Sequence, residues 1–342
     1  MTKKYRRLLI IALAIGLFVF IVPLFRVTPA AVWQEAQKVN GYWLIVALSC
    51  MLMHWAIEGK IIQGLLRREA ANFSFKNALR IPLIEHLFNA ITPFSTGGQP
   101  AQLLTLVKSG IDPGVSGSVC MMKFVVYQVM IVLNFIGCLI FGFSLLKQEF
   151  QHLSYLVLLG FIINLIVVLT LLMIMYHYTF TNKVVTLFLK ILEKVIGEEK
   201  ATHWKSILTE KMTNFYQESR YMKQEKKMMF RTFVLTFFQL ICYYIVPYFI
   251  LLSMGVNQIN IWQIIIFHAF IILIISLFPI PGGTGGAEYS FTLLFGGFIA
   301  SPSQLLLAIF LWRLITHYSG VFLGLIALFI KPDSLETSGT TL

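Results

Sequence analysis

Charged residues are scarce in this chain of 342 residues: Asp, Glu, Lys and Arg make up 12% of it, about half of what a soluble domain carries. Hydrophobic residues make up 58%, and the mean hydropathy is +0.79, which excludes an ordinary soluble fold. The apolar residues fall in blocks as long as the roughly 20 residues that a helix needs to cross a bilayer. We therefore predict an all-α polytopic membrane protein.

Cysteine is also scarce, and Cys50, Cys120, Cys138 and Cys242 each lie alone in an apolar block. Without a C-x-x-C pair or a paired histidine, neither a disulfide framework nor a zinc site is predicted, and the thiols are expected to be buried and inert. Phosphate-loop, dinucleotide, H-E-x-x-H and G-x-S-x-G patterns are missing; in "GGTGGAE", Glu288 stands where the third glycine of a dinucleotide motif would be. We expect no cofactor, no metal and no catalytic residue, and neither ATP-driven pumping nor familiar hydrolase chemistry from this chain alone.

The apolar blocks predict six full crossings, at 8–25, 41–59, 115–146, 153–176, 231–252 and 303–330. No cleavage-like motif follows the first block, so we interpret 8–25 as a retained anchor helix. Basic residues mark the cytoplasmic side of a membrane protein, and 22 of the 27 Lys and Arg residues lie in 1–7, 60–80, 95–114, 177–231 and 331–342. Both termini are therefore predicted to lie inside.

Two segments, "PFSTGGQ" at 93–99 and "PGGTGGA" at 281–287, share the frame P-x-x-T-G-G. Thr96 lies 55 residues after the crossing that starts at 41, and Thr284 lies 53 after the one that starts at 231; each precedes the next crossing by 19. We interpret 41–146 and 231–330 as inverted repeats, each with a re-entrant broken-helix hairpin, as transporters use. The alternative is a chance similarity of two Gly-Pro breaks.

Three further parts complete a single integral membrane domain. The crossing 153–176 links the repeats, and 331–342 is a polar tail. The cytoplasmic loop 177–230 begins with "KVVTLFLKILEKVIGEEK", whose apolar residues cluster on one side of a helix. Such a helix is expected to lie on the inner leaflet; the alternative is a docking site for a partner domain, such as a separate cytoplasmic enzyme.

Each break is followed by the N-terminus of a short helix, at 100–108 after the first break and at "AEYSFTLLF" after the second. Gly97 and Gly98 are expected to form the turn of the first break. Free amides and the helix dipole at such a terminus bind phosphate or carboxylate, unless Glu288 already satisfies those donors. The lipid-binding candidates are Thr96, Gly97, Gly98, Gln99, Lys123, Gly283, Gly285, Gly286, Glu288, Arg313 and His317.

Ionisable residues inside a membrane are costly and often functional. Glu85, His86 and Glu288 are the candidates for ion pairs or a proton relay. The competing interpretation is purely structural pairing, Glu85 with Lys123 and Glu288 with Arg313. Outside these candidates, His54 and Glu58 are expected at the membrane interface, and His268 is expected to be a hydrogen-bonded core residue.

The pair "ITPFSTGGQPAQL" and "FPIPGGTGGAEYSF" resembles the transmembrane region of the lysylphosphatidylglycerol synthase/flippase family, the multiple peptide resistance factor group and its short relatives. The family's long members join a flippase region to a domain that transfers lysine from lysyl-tRNA to phosphatidylglycerol. Here the polar tail ends at 342, so we do not expect that domain in this chain.

The resemblance implies a lipid translocator in the bacterial inner membrane, which moves a polar phospholipid or an aminoacyl or glycosylated lipid between leaflets. The alternative is a phosphatidylglycerol lysyltransferase or its membrane subunit. The expected partners are anionic or aminoacylated phospholipids; nucleic acid is expected only through a tRNA-dependent partner. The oligomeric state stays open.

Overall fold

The computed structural model describes residues 28–149, 151–177, 179–183, 186, 216–217, 219–221, 223–277 and 280–333. The predicted anchor helix 8–25, most of the loop 177–230 and the end of the polar tail lie outside these residues. Every regular element among the described residues is a helix, which confirms the predicted all-α membrane class.

The first half of the chain contains a short surface helix, two helices around the first break, and two long helices. These are α1 (Pro29–Gln37), α2 (Gly41–Leu65), α3 (Phe75–Ala90), α4 (Gly98–Lys108) and α5 (Pro113–Glu149). The helix α6 (Gln151–Tyr176) follows them.

The second half repeats this order of long helix, short helix, break, short helix and long helix. Its helices are α7 (Lys226–Tyr244), α8 (Val246–Ser253), α9 (Ile261–Ile275), α10 (Gly286–Phe295), α11 (Pro302–Arg313) and α12 (Ser319–Phe329). Short 3₁₀ turns occupy the breaks, at Pro93–Ser95 and Pro281–Gly283, and a π-helical turn, Leu314–Tyr318, joins α11 to α12.

Several helices begin at a polar residue whose side chain satisfies a free backbone amide. Asn40 accepts from the amide of Tyr42, Asn260 from Trp262, and Ser301 from Gln304. These caps stand at the ends of apolar blocks, where the chain turns back towards the bundle.

Five stretches of the described residues are long and apolar enough to cross a membrane: Gly41–Leu65, Pro113–Ile140, Val157–Tyr176, Lys226–Ser253 and Pro302–Phe329. They coincide with the five predicted crossings that fall within the described residues. The total number of crossings and their orientation stay predictions.

Corresponding helices of the two halves make corresponding contacts. The first long helices of the halves, α2 and α7, pack against each other, and the two breaks touch. The helix before each break packs on the closing helix of the other half, α3 on α12 and α9 on α5. The packing is therefore reciprocal between the two halves, and the inverted repeat stays a prediction.

The first break is built differently from the prediction. Phe94 and Ser95, rather than the glycines, adopt positive φ, at 52° and 53°. Gly97 and Gly98 have ordinary helical geometry, and they let the chain pass close to the side chains of Thr92 and Asn89. A Cβ on Gly97 would lie 2.6 Å from Thr92 Cγ2, and one on Gly98 would overlap the Asn89 amide. In the second break the glycines do make the turn, with φ of 65°, 62° and 88° at Gly282, Gly283 and Gly285.

A polar clamp joins the end of the last helix to the start of α3. The Asp333 carboxylate accepts hydrogen bonds from Ser74 Oγ and Lys76 Nζ, both at 2.6 Å. Asn77 exchanges two further bonds with the Asp333 backbone, at 3.2 and 3.0 Å. These hydrogen bonds hold the pKa of Asp333 below its usual value, and the one from Lys76 has a larger effect than the one from Ser74.

We expect Asp333→Asn to lower the melting temperature at neutral pH, by an amount that shrinks to zero in acid. A carboxyl whose pKa is lowered in the folded state stabilises above its unfolded pKa, and this stabilisation is lost as the pH falls through the folded pKa. Scanning fluorimetry in detergent across this range measures the effect. The control is Glu69→Gln, which removes an exposed carboxylate 3.5 Å from Arg68; a pH-independent difference for Asp333→Asn would contradict the clamp.

Candidate functional site

A polar cavity of about 520 Å³ lies inside the apolar bundle, bordered by α2 to α7, α9 and the first break. Its charged and amide side chains include Glu58, Glu85, Gln99, Lys123 and Gln239. A second cavity of about 240 Å³ adjoins it and is bordered by both breaks and by the π-helical turn. The two cavities share several lining residues, His54 and His86 among them.

Lys123 is the centre of a buried charge cluster in the larger cavity. Its ammonium group donates to Glu58 Oε1 on α2 and to Glu85 Oε2 on α3. The three side chains are only 7%, 12% and 10% exposed. Two carboxylates therefore share one largely buried ammonium group, and three helices are tied together at this point.

Glutamine amides complete the hydrogen bonding of this cluster. Gln99 Nε2 donates to Glu85 Oε1 at 2.9 Å, and Gln239 Nε2 donates to Glu58 Oε2 at 3.0 Å. Gln102 Oε1 accepts from Lys123 at 3.4 Å, while its Nε2 is buried without a hydrogen-bond partner. All four carboxylate oxygens thus have a donor, as buried charge requires.

His54 borders both cavities and extends the cluster. Its Nδ1 lies 2.9 Å from the Gln239 carbonyl oxygen, and its Nε2 lies 3.9 Å from Glu58 Oε2. The helix α7 packs across this part of α2 and covers His54 and Glu58, so both side chains belong to the cluster, while their predicted position at the membrane interface stays a prediction. His54 is 9% exposed.

A second ion pair braces the other break. Arg313 Nε donates to Glu288 Oε1 at 2.6 Å, and Nη2 donates to the Gly282 carbonyl oxygen at 3.0 Å. Arg313 also borders the smaller cavity. Both structural pairs considered from the sequence, Glu85 with Lys123 and Glu288 with Arg313, are therefore formed.

The backbone amides at the breaks are largely satisfied by neighbouring side chains. Gly97 donates to Thr92 Oγ1 at 2.8 Å, and Gly98 donates to Asn89 Oδ1 at 3.0 Å. Gly285 donates to Glu288 Oε2 at 2.6 Å, in the capping arrangement considered as the alternative. The expectation of free amides was wrong at these three glycines, because Asn89 and Thr92 reach the first two from around the end of α3 and Glu288 reaches the third from the first turn of α10.

Six of the predicted site residues, Glu85, Thr96, Gln99, Lys123, Arg313 and His317, line one of the two cavities, and His86 lines both. Among the described lining residues, the second-break candidates Gly283, Gly285, Gly286 and Glu288 do not occur. Gly283 is needed for its turn, since a Cβ there would overlap Ile275. These four residues shape the break beside the cavity.

The histidines have distinct hydrogen-bonding roles. His268 is buried, with Nδ1 3.1 Å from the Tyr244 carbonyl oxygen, and its Nε2 accepts from Trp312 Nε1 at 3.1 Å; the predicted core role is confirmed. His86 Nε2 lies 3.2 Å from the His317 carbonyl oxygen, so it bridges α3 and the π-helical turn.

Sequence reasoning missed Gln102, Gln239 and Asn89 and did not include His54 and Glu58 among the site candidates. The signals were present: His54 and Glu58 are four residues apart on one face of an apolar helix, and Gln239 interrupts the apolar block "FVLTFFQLICYY". What the sequence did not show is that these faces meet.

The fold and the cavity define a class: a polytopic helical membrane protein with a polar chamber between two broken-helix segments. The family model described as "Lysylphosphatidylglycerol synthase TM region" matches residues 9–324, and the chain belongs to this family. It is also similar to a protein of Archaeoglobus fulgidus called "UPF0104 membrane protein", with 25% identity over 308 residues that cover 86% of this chain and 88% of the relative.

Proposed function

We propose that this protein moves a polar phospholipid, such as an anionic or aminoacylated phosphatidylglycerol, between the leaflets of the bacterial inner membrane. The observation that carries the proposal is the polar cavity of about 520 Å³ beside the two touching breaks. Charged residues at membrane depth are expensive and line substrate paths. The family supports a lipid-related function in a membrane.

The cavity supplies polar partners for a head group while the acyl tails stay in the bilayer. Lys123 and Gln99 border the cavity with donors for a phosphate or a hydroxyl group, and Glu58 and Glu85 border it with acceptors for an ammonium group. A head group would replace some of the bonds that these side chains make to one another. The amides of Gly97, Gly98 and Gly285 are bonded within the chain, and these glycines do not border the cavities. The cavity-lining side chains, rather than the helix N-termini, are therefore the proposed head-group contacts.

The direct test is dithionite quenching of fluorescent phosphatidylglycerol in liposomes that contain the purified protein. We expect wild-type protein to expose inner-leaflet lipid faster than empty liposomes do. Thr96→Trp should remove most of this rate, because Thr96 lines the larger cavity and the bulkier indole would narrow it.

The matched control is Thr170→Trp on the exposed surface of α6, where the threonine bonds only to its own helix at 2.9 Å. It should keep the wild-type rate. Wild-type rates equal to those of empty liposomes, for phosphatidylglycerol and for lysyl-phosphatidylglycerol, would overturn the proposal. Mass spectrometry of lipids from cells with and without the gene tests the alternative, a lysyltransferase, by loss of the lysyl lipid.

A further inference from the structure

The charge cluster around Lys123 carries one negative charge in excess. Glu58 and Glu85 contribute two carboxylates, and Lys123 contributes one ammonium group. An uncompensated charge buried in a protein costs several kcal/mol, so such a group is neutralised by a partner or by a proton. By contrast, Glu288 and Arg313 form a balanced pair.

The hydrogen bonds of His54 show where that proton would lie. A carbonyl oxygen only accepts, so His54 Nδ1 must carry the hydrogen of its 2.9 Å bond to the Gln239 carbonyl. In a neutral imidazole the other nitrogen is then an acceptor. That nitrogen, Nε2, lies 3.9 Å from Glu58 Oε2, which is also an acceptor.

His268 shows what a histidine satisfied in its neutral form looks like in this fold. Its Nδ1 also faces a carbonyl oxygen, but its Nε2 receives the indole N–H of Trp312 at 3.1 Å. At His54 the group nearest to Nε2 is instead the Glu58 carboxylate, at 3.9 Å. One proton added to Nε2 would give this nitrogen a hydrogen to direct at the carboxylate, and it would also cancel the excess negative charge.

We propose that the His54–Glu58 pair binds one exchangeable proton, held on His54 Nε2 and facing Glu58 Oε2, and that its uptake and release through the cavity drive lipid movement. On uptake, a hydronium ion in the cavity gives its proton to the Nε2 lone pair and becomes water; on release the step reverses. The driving role rests on the proposed function, whereas proton binding does not.

Other ionisable groups border the two cavities around this pair. Lys123 and Tyr127 come from α5, Glu85 and His86 from α3, Tyr243 from α7, and Arg313 borders the adjoining cavity. Glu85 is the second acid of the cluster, while Lys123 and Arg313 oppose protonation of His54. Glu58 is the decisive partner, because its Oε2 lies 3.9 Å from His54 Nε2.

Proton binding is tested by NMR of ¹⁵N-histidine-labelled protein in nanodiscs, with His54→Gln to assign the resonance among the seven histidines. We expect His54 to keep Nδ1–H throughout and to gain Nε2–H in the course of an acid titration from about pH 8. In Glu58→Gln the side-chain amide can donate to Nε2, so His54 should stay neutral. A wild-type His54 that stays neutral throughout this titration, or carries its proton on Nε2 alone, would overturn the proposal.

The coupling of lipid movement to proton uptake and release is tested in the liposome assay with and without an imposed pH gradient, with the membrane potential clamped. We expect the wild-type rate of lipid movement to differ several-fold with and without the gradient. The rates of His54→Gln and Glu58→Gln should each be the same in both conditions. The control His177→Gln removes an exposed histidine and should respond as wild type does. Lipid movement indifferent to the gradient would refute coupling alone; no movement in any condition would refute the proposed function while the NMR result stands.

Discussion

Replacing Lys123 by methionine is expected to destabilise the protein by about 3–5 kcal/mol, the usual cost of removing one partner from a buried ion pair. The change leaves Glu58 and Glu85 close together without their shared cation, in side chains that are 12% and 10% exposed. Scanning fluorimetry in detergent, combined with the yield of monodisperse protein, measures the effect.

The matched control is Lys38→Met, since Lys38 pairs with Glu35 at 3.2 Å on the surface and its side chain is 69% exposed. Exposed pairs contribute about 0–1 kcal/mol, so this variant should melt close to wild type. Removing both acids as well, in Lys123→Met with Glu58→Gln and Glu85→Gln, should recover much of the loss. Equal melting temperatures for Lys123→Met and Lys38→Met would contradict the buried cluster.

The second large effect is expected for Gly324→Ala, where α12 crosses α3. A Cβ at Gly324 would overlap the Leu83 carbonyl oxygen and lie 2.7 Å from Leu87 Cβ. Backbone atoms cannot rotate away as a side chain can, so the helices must separate. Small residues permit such close approach between membrane helices, and overpacking of this kind costs about 1–3 kcal/mol.

Gly137→Ala on α5 is the control for this substitution. A Cβ there meets nothing within 4 Å, and alanine in a helix is favoured over glycine by roughly 0.5–1 kcal/mol. We expect Gly137→Ala to melt at or above the wild-type temperature and Gly324→Ala to melt below it. The same melting temperature for the two variants would show that α3 and α12 are not in close contact.

Much of the fold could be predicted from the sequence because lipid restricts what a chain can do. Every backbone polar group must be satisfied within its own segment, so long apolar blocks become helices whatever they pack against. The limits of α4, Gly98–Lys108, nearly match the predicted 100–108 for the same local reason: Pro100 suits a helix start, and Gly110, at φ 91°, suits its end.

The candidate site was only half predictable. Lys123, Glu85, Arg313 and Glu288 stand out because charge in an apolar block is rare. The partners of these charges were harder to find: Gln239 meets Glu58 across 181 positions of sequence, and nothing local marks that contact.

The sequence by itself determined the membrane class, the two broken segments and the burial of Glu85, Lys123 and Arg313, since composition and local backbone chemistry decide these. Only the tertiary structure decided that α7 covers His54 and Glu58, that Asn89 and Thr92 occupy the amides of the first break, and that two acids share one lysine. The physical reason is that a buried polar group takes whichever partner lies within hydrogen-bonding distance, and helix packing sets that distance.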